Sequence, residues 1–496
     1  MNKLYTLLTA LLAVTGTVFG QTEFASFQVP FRSADYLKSS VSADGEVCLY
    51  AVTQGEIHLL YLNNKGEVKA RVSNTAPLGS IPELLGDLPL RDKFVYFERR
   101  NSSGGESIQP YYLNKNTGRL VHIESVSLPL DPRSQLLQAF TSDSTFYAVY
   151  YSKKTNTMQV AAFTSEQHYT LKKFNLNAYM YMEDRLFKPT TSPVYIGSDL
   201  DNELYQAQFP KKLFLHQDKL YFLFDGFAGP GVSRKNLTTE VLTLDLKTET
   251  SAFNVLPYIE DTNNENFSSY LFKNALFRYV MTGKDIVQLE IYDAATLAPR
   301  KSYKFTGDDK IALQATAVVQ ANKLPDASQV ETARTMIQKM HNGLVAVVAN
   351  NAPGNTIELQ LGTYDVKNNP AAMLPTGAGL MSSMGPGAIP VMAALMFIKI
   401  AANEAPPKEK NTYYRSYLNA ETFEIVNGVS RVGTSDLITQ HTNRLITEKA
   451  SIGALVTYAY KGKLHYGYLE KRTRQLKIVA LEPQHNLQEA TSSAVN

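Results

Sequence analysis

The chain has 496 residues, room for two to four average domains or one all-β unit of unusual size. With 19% charged and 44% hydrophobic residues it can fill a large core, which excludes wholesale disorder. The net charge is only +3 and the densest basic tract is EKRTR, so no nucleic-acid footprint is present.

The N-terminus, MNKLYTLLTALLAVTGTVFGQTEF, places Lys3 before an apolar stretch from Leu4 to Phe19, with Val18 and Gly20 ahead of Gln21. That pattern predicts a secretory signal peptide over residues 1–20, too short for a comfortable membrane span. The mature chain is expected to be secreted or periplasmic. The single Cys48 lies in the strand-like EVCLYAV, where a thiol behaves as a small hydrophobe. One Cys forms no internal disulfide, so stability is assigned to a large packed core.

A hairpin pattern then recurs eight times. An aromatic residue or Leu ends one strand, a polar turn follows, and a second alternating strand begins, with anchors at Tyr61, Tyr112, Phe163, Leu244, Tyr292, Tyr364, Tyr417 and Tyr468. The steps between anchors are 51, 51, 81, 48, 72, 53 and 51 residues. Most anchors follow another alternating strand, as in DGEVCLYAV, DKFVYFE, DSTFYAVYY, QDKLYFLFDG, NGLVAVVAN and GALVTYAY. A period near fifty holding about four short strands is the pattern of propeller blades.

On these residues the chain resembles β-propeller repeat proteins in general, over about residues 27–482. The resemblance implies an all-β, seven- or eight-bladed β-propeller over residues 21–482, with a tail at 483–496. Radial stacking buries both faces of four-stranded sheets that could not stand alone. The Trp-Asp signature of one propeller class is ruled out by the absence of Trp.

From Asn368 to Ile398 there is no Asp, Glu, Lys or Arg. Its Gly/Pro-rich part, PTGAGLMSSMGPGAIP, would break a spanning helix, and the apolar piece from Gly387 to Ile398 is too short to cross a bilayer. The expectation is ordinary blade material: AAML as an outer strand, VMAALMFIKIAA as a central strand of the next blade, and a connecting loop between them. Membrane or partner contact through the Met-rich 376–390 loop is the alternative.

The two long steps imply insertions at about 175–208 and 321–341. In the first, Tyr179, Tyr181, Tyr195 and Tyr205 are candidate ligand-binding residues, since Tyr combines a rigid ring with a polar tip. The competing expectation is a small satellite core packed on the propeller. Asp199, Asp201 and Glu203 are spaced to wrap a Ca²⁺ ion, and Asp261, Asn263 and Glu265 repeat the spacing. Neither set has the Gly and distal Glu of the EF-hand loop, so solvated acids are the main expectation and no cofactor is expected. In the second insertion, Ser328 and Glu331 predict a capping box for a short amphipathic helix with Val330, Ala333, Ile337 and Met340 on one face.

No HExxH, GxSxG, phosphate-loop or dinucleotide motif occurs, and DGFAGPG from Asp225 reads as a connection between strands. The functional expectation is an exported, non-catalytic binding or scaffold propeller that recognises a protein, peptide or envelope component. The alternatives are a propeller enzyme acting on polysaccharide or peptide, with acids or His converging at the channel, and a membrane-associated envelope subunit.

Overall fold

The recurring anchor has a local cause visible in the computed structural model of the protein. After the anchor strand, an Asn or Asp side chain accepts backbone N–H groups two to four residues on: Asn63 from Lys65 and Glu67, Asn114 from Asn116 and Thr117, Asp245 from Lys247 and Thr248, Asp293 from Ala295 and Thr296, Asn419 from Glu421 and Thr422. The side chain thereby stands in for a strand partner and turns the chain back. The structure describes residues 21–482 apart from 54, 76–82, 103–104, 189–191, 198–200, 228–236, 259–265, 321–329, 342, 365–410, 429–432 and 461–462.

Among the described residues the strands form seven sheets. Sheet I is Tyr36–Val41, Val47–Thr53, Glu56–Leu62 and Val68–Thr75. Sheet II is Glu83–Pro89, Lys93–Ser102, Gly105–Asn114 and Leu120–His122, and sheet III is Ser134–Ser142, Thr145–Ser152, Thr157–Phe163 and Tyr169–Asn175. Sheet IV is Lys211–His216, Lys219–Asp225, Thr239–Asp245 and Thr250–Val255, with Val194–Tyr195 added in parallel to its first strand. Sheet V is Phe267–Phe272, Ala275–Thr282, Ile286–Asp293 and Pro299–Thr306. Sheet VI orders Leu344–Ala352, Thr356–Tyr364, Thr412–Asn419 and the short Val319–Gln320. Sheet VII is Ile452–Tyr460, Lys463–Glu470 and Gln475–Leu481, completed by the N-terminal strand Gln21–Gln28. That last pairing runs antiparallel from Gln21 opposite Leu481 to Gln28 opposite Gln475.

Successive sheets share cores in chain order. Tyr50 and Tyr96 join I to II, Phe97 and Phe146 join II to III, and Phe140 and Phe222 belong to the core between III and IV. One large cluster runs through IV, V and VI, and Val456 and Ile478 of VII pack with Leu37 and Leu49 of I. The rings of Phe97 and Phe146 stack 4.4 Å apart, a geometry worth about 1 kcal/mol beyond area burial. Gly86 permits it: a Cβ there would sit 2.3 Å from the Phe146 ring. Buried polar links cross the same seams, such as Lys38 to Asp87 at 2.9 Å between I and II. The result is a repeated, propeller-like all-β architecture.

Seven sheets from eight anchors has a specific explanation. Six anchors, from Tyr61 to Tyr292 and at Tyr417, lie on third strands, but Tyr364 ends and Tyr468 lies on a second strand. Tyr364 and Tyr417 therefore belong to one sheet, not to successive blades, and the strands that carry them are hydrogen-bonded neighbours. The expected strands at 371–374 and 391–402 lie outside the described residues; the strands on either side of them, Thr356–Tyr364 and Thr412–Asn419, pair with each other in sheet VI. The predicted signal peptide and tail lie outside the described residues as well.

Helix Ala333–Met340 forms where the amphipathic pattern predicted one. Its N-cap is Thr332, whose hydroxyl accepts the backbone N–H of Thr335; Ser328 lies outside the described residues. Ala333, Met336 and Met340 are buried, whereas Val330 is 37% exposed. Helix Thr434–Thr447 was not anticipated. It packs Ile438 and Leu445 against Leu455, Tyr466 and Tyr468 of sheet VII, while Asp436 takes a 2.8 Å ion pair from Arg415 of sheet VI. The helix thus lies between sheets VI and VII.

The connections are unequal at the two ends of the sheets. Where first strands join second and third join fourth, every described connection is five residues or shorter. All the long connections, including 176–210, 226–238, 307–343, 365–411 and, after Ile425 turns back beside Leu418, 426–451, leave from the opposite end. That long-loop end is where rigid strands can hold varied side chains.

Candidate functional site

At the long-loop end of sheet IV, the 175–208 segment first makes a short helix, Met182–Phe187. Met182 and Leu186 sink into the core shared by sheets III and IV, which fixes the helix. Its entry is backbone-strained: Tyr181 has φ 57°, a left-handed conformation that disfavours side chains with a Cβ.

Arg185 projects from this helix into a nearly dry setting. Its Nε and Nη2 donate to the two carboxylate oxygens of Glu240 at 2.6 and 2.8 Å, a bidentate pair, and Nη1 donates to the Met180 carbonyl. The guanidinium also lies 4.3 Å from the Phe227 ring centre and 4.8 Å from that of Phe253. Tyr179 closes one side, its hydroxyl donating to the Ser251 carbonyl at 2.9 Å and its ring packing 5.5 Å from Phe253. Beneath, Lys211 donates to the Leu186 carbonyl at 3.1 Å, and burial pulls its ammonium down to about 8.

Around this ion pair stand exposed apolar side chains. Met180 is 70%, Tyr181 43%, Val255 45% and Tyr258 60% exposed. Val255 lies directly across from Glu240, at the end of the outer strand of the sheet. Pro257, next to Tyr258, is held by Arg278 through its carbonyl at 2.9 Å and by Thr238 at 3.0 Å. Large apolar side chains kept in water on a fixed backbone, rimmed by charge, are the features of a recognition surface.

The sequence candidates separate in space. Tyr179 and Tyr181 join this rim. Tyr195 does not: it is buried, its ring stacked 3.8 Å from Phe140 of sheet III. Tyr205 lies on the helix Leu204–Ala207, away from the rim and at the inner edge of the sheets. The described residues from Val194 to Gln208 lie against first strands: the Ile196 N–H donates to the Leu213 carbonyl, Asn202 exchanges hydrogen bonds with Asn350, and Ser268 donates to the Ala207 carbonyl.

Two of the acids proposed for calcium make hydrogen bonds within the chain. Asp201 accepts from the backbone N–H and hydroxyl of Thr434, both at 3.1 Å, joining the insertion to helix Thr434–Thr447. Glu203 caps the helix Leu204–Ala207 in a reciprocal box with Gln206. Asp199 and the 261–265 set lie outside the described residues. Among the described residues no three His, Cys, Asp or Glu side chains cluster to hold a metal, and no helix is long and apolar enough to cross a membrane.

Sequence reasoning missed Met180, Val255, Tyr258 and the Arg185–Glu240 pair. Only the run AYMYME hinted at them, since four consecutive large side chains ahead of an acid are more than one buried face takes. Asp225, read as the start of a connection, is instead a buried hub. It binds Lys212 at 2.6 Å, Thr239 and the Ser269 hydroxyl at 2.7 Å and the Ser269 N–H at 2.9 Å, riveting sheet IV to sheet V.

No family model matches the chain, and no curated protein does. Solved structures similar to it include hydrazine synthase of Kuenenia stuttgartiensis, 8% identical over 92% of this chain and 98% of that one, with a TM-score of 0.32. A mutant apocarotenoid oxygenase of Synechocystis and its cobalt-substituted form are each 10% identical over 55% of this chain, with a TM-score of 0.27. The chain spans 62% of the length of those oxygenases. The architecture described above rests on strand pairing rather than on these likenesses, all similar in fold at most.

Proposed function

We propose that the protein is an exported binding or scaffold protein: a seven-bladed propeller, closed by its two terminal strands, that recognises a protein, peptide or envelope component at its long-loop end. The observation that carries this reading is the rim of sheet IV, where Met180, Tyr181, Val255 and Tyr258 stay exposed around the buried Arg185–Glu240 pair. A monomer without a partner gains nothing from holding Tyr181 at φ 57° while leaving its ring in water. Aromatic and Met side chains on a rigid frame are the groups that dominate binding energy when a partner covers them.

The test compares two forms of the mature protein on envelope extract of the producing cells. The wild type should retain a defined component that the Met180→Asp/Tyr258→Asp variant loses, with melting temperatures equal within about 2 °C. Equal retention by both forms would remove the rim from the account. The export part of the reading predicts that the protein purified from cells begins near Gln21.

A further inference from the structure

A second constellation lies on sheet I, on the face that meets sheet VII. His58, on the third strand of sheet I, pairs directly across from Ser73 on the fourth. The Ser73 hydroxyl is 2.8 Å from Nδ1 of His58, and a carboxylate oxygen of Glu56 is 3.3 Å from Nε2. Thr53 lies near the same Nε2, at 3.5 Å. The carboxylate beside Nε2 selects the tautomer with its proton there, so Nδ1 presents a lone pair to the Ser73 hydroxyl. The Phe31 ring stacks 4.7 Å from the imidazole and holds its plane.

The exposure of the three groups is graded in the order a reaction needs. His58 is buried, Glu56 is half-buried, and Ser73 faces solvent on the outermost strand. Burial holds the imidazole below its usual value, with Glu56 opposing, so it is the neutral base at pH 7. A hydroxyl within hydrogen-bond reach of a base, and a base oriented by a third group, is the signature of an activated nucleophile. The two ring nitrogens exchange the roles they have in the serine-protease triad, which is recognised by geometry and not by chain order.

We propose that Ser73, His58 and Glu56 form a nucleophilic site that accepts an acyl group from a small carboxylic ester delivered from solvent. The Ser73 oxygen bonds to the acyl carbon as the ester C–O bond breaks. The hydroxyl proton passes to Nδ1 of His58 and on to the departing alkoxide. Water, deprotonated by the same nitrogen, then displaces the acyl group as a carboxylic acid and restores Ser73. The site is separate from the rim of sheet IV, so either stands if the other fails.

The experiment uses the mature protein with a fluorophosphonate probe and with p-nitrophenyl acetate. The expected result is a single phosphonyl adduct on the peptide containing Ser73, absent in Ser73→Ala. His58→Gln should slow labelling about 100-fold and Glu56→Gln about tenfold, with unchanged circular dichroism. The labelling rate should fall as pH drops through a value below 6.5, the ordinary imidazole value. No adduct at Ser73, or equal labelling of wild type and His58→Gln, overturns the proposal and leaves a hydrogen bond that only ties two strands together.

Discussion

Thr363 sits directly across from Thr412 in one antiparallel pair of sheet VI. The two strands are thus neighbours in one sheet, although the chain between them closely matches a blade period in length. Replacing residues 365–411 by a short Asn-Gly turn is expected to preserve the β-rich circular dichroism and shift the melting temperature by only a few degrees, because closing a shorter loop costs less entropy. Collapse of the fold on this replacement would mean that the uncharged run supplies blade strands after all.

The buried hub between sheets IV and V sets a second expectation. Lys212 and Asp225 have almost no solvent exposure and meet at 2.6 Å. Removing one partner strands the other charge. Asp225→Ala and Lys212→Met should each lower unfolding free energy by about 3–5 kcal/mol in urea titration, while the double substitution costs clearly less than the sum. Additive losses would contradict a direct pairing.

Acid sensitivity is assigned to His441. The residue lies on helix Thr434–Thr447, edge-on to Tyr466 at 4.7 Å, and neither ring nitrogen has a hydrogen-bond partner among the described residues. Burial pulls its imidazole down to about 4, with Arg444 adding to the shift and Glu448 opposing it. Because the folded value is depressed, the unfolded chain binds the proton first. Stability should be constant above about pH 6.5, then fall by roughly 3 kcal/mol between there and about pH 4 on this residue's account. His441→Phe should flatten that part of the pH profile measured by thermal melting; an unchanged profile would assign the loss elsewhere.

Tyr181 links stability to recognition in opposite senses. Its left-handed backbone costs about 1 kcal/mol for a residue with a Cβ, a cost that glycine does not carry. Tyr181→Gly is expected to leave stability unchanged or raise it by up to about 1 kcal/mol, while weakening retention of the rim's partner. A stabilised variant that binds as well as the wild type would show that the strain serves some other purpose.

Much of this architecture was legible in the residues. The Asn and Asp turns after Tyr61, Tyr112, Leu244, Tyr292 and Tyr417 are local hydrogen-bond devices, so their spacing reported real hairpins. The number of sheets was not local. A turn such as EKRTR after Tyr468 looks like the others, yet it joins a second strand to a third, and the closing partner of that sheet lies at Gln21–Gln28, at the far end of the chain. Helix Thr434–Thr447 was missed because it starts on Gly433 without a side-chain hydroxyl or amide cap, and its polar face suited a loop. The site residues divided for the same reason: Tyr179, Tyr181 and Tyr195 look alike in sequence, and only the stacking of Tyr195 on Phe140 distinguishes core from rim. The proximity of Ser73 to His58 and Glu56 depends on strand register, which no spacing motif encodes.

Closure of the proposed propeller is the claim on which the placement of both ends of the chain depends. Ser26 and Lys477 face each other in the terminal strand pair. In a Cys48→Ala background, Ser26→Cys/Lys477→Cys should oxidise to an intramolecular disulfide in the folded monomer and raise the melting temperature, since it joins residues near both ends of the domain. Free thiols after mild oxidation of the folded protein, or a disulfide found only between molecules, would contradict a ring closed by its own terminal strands.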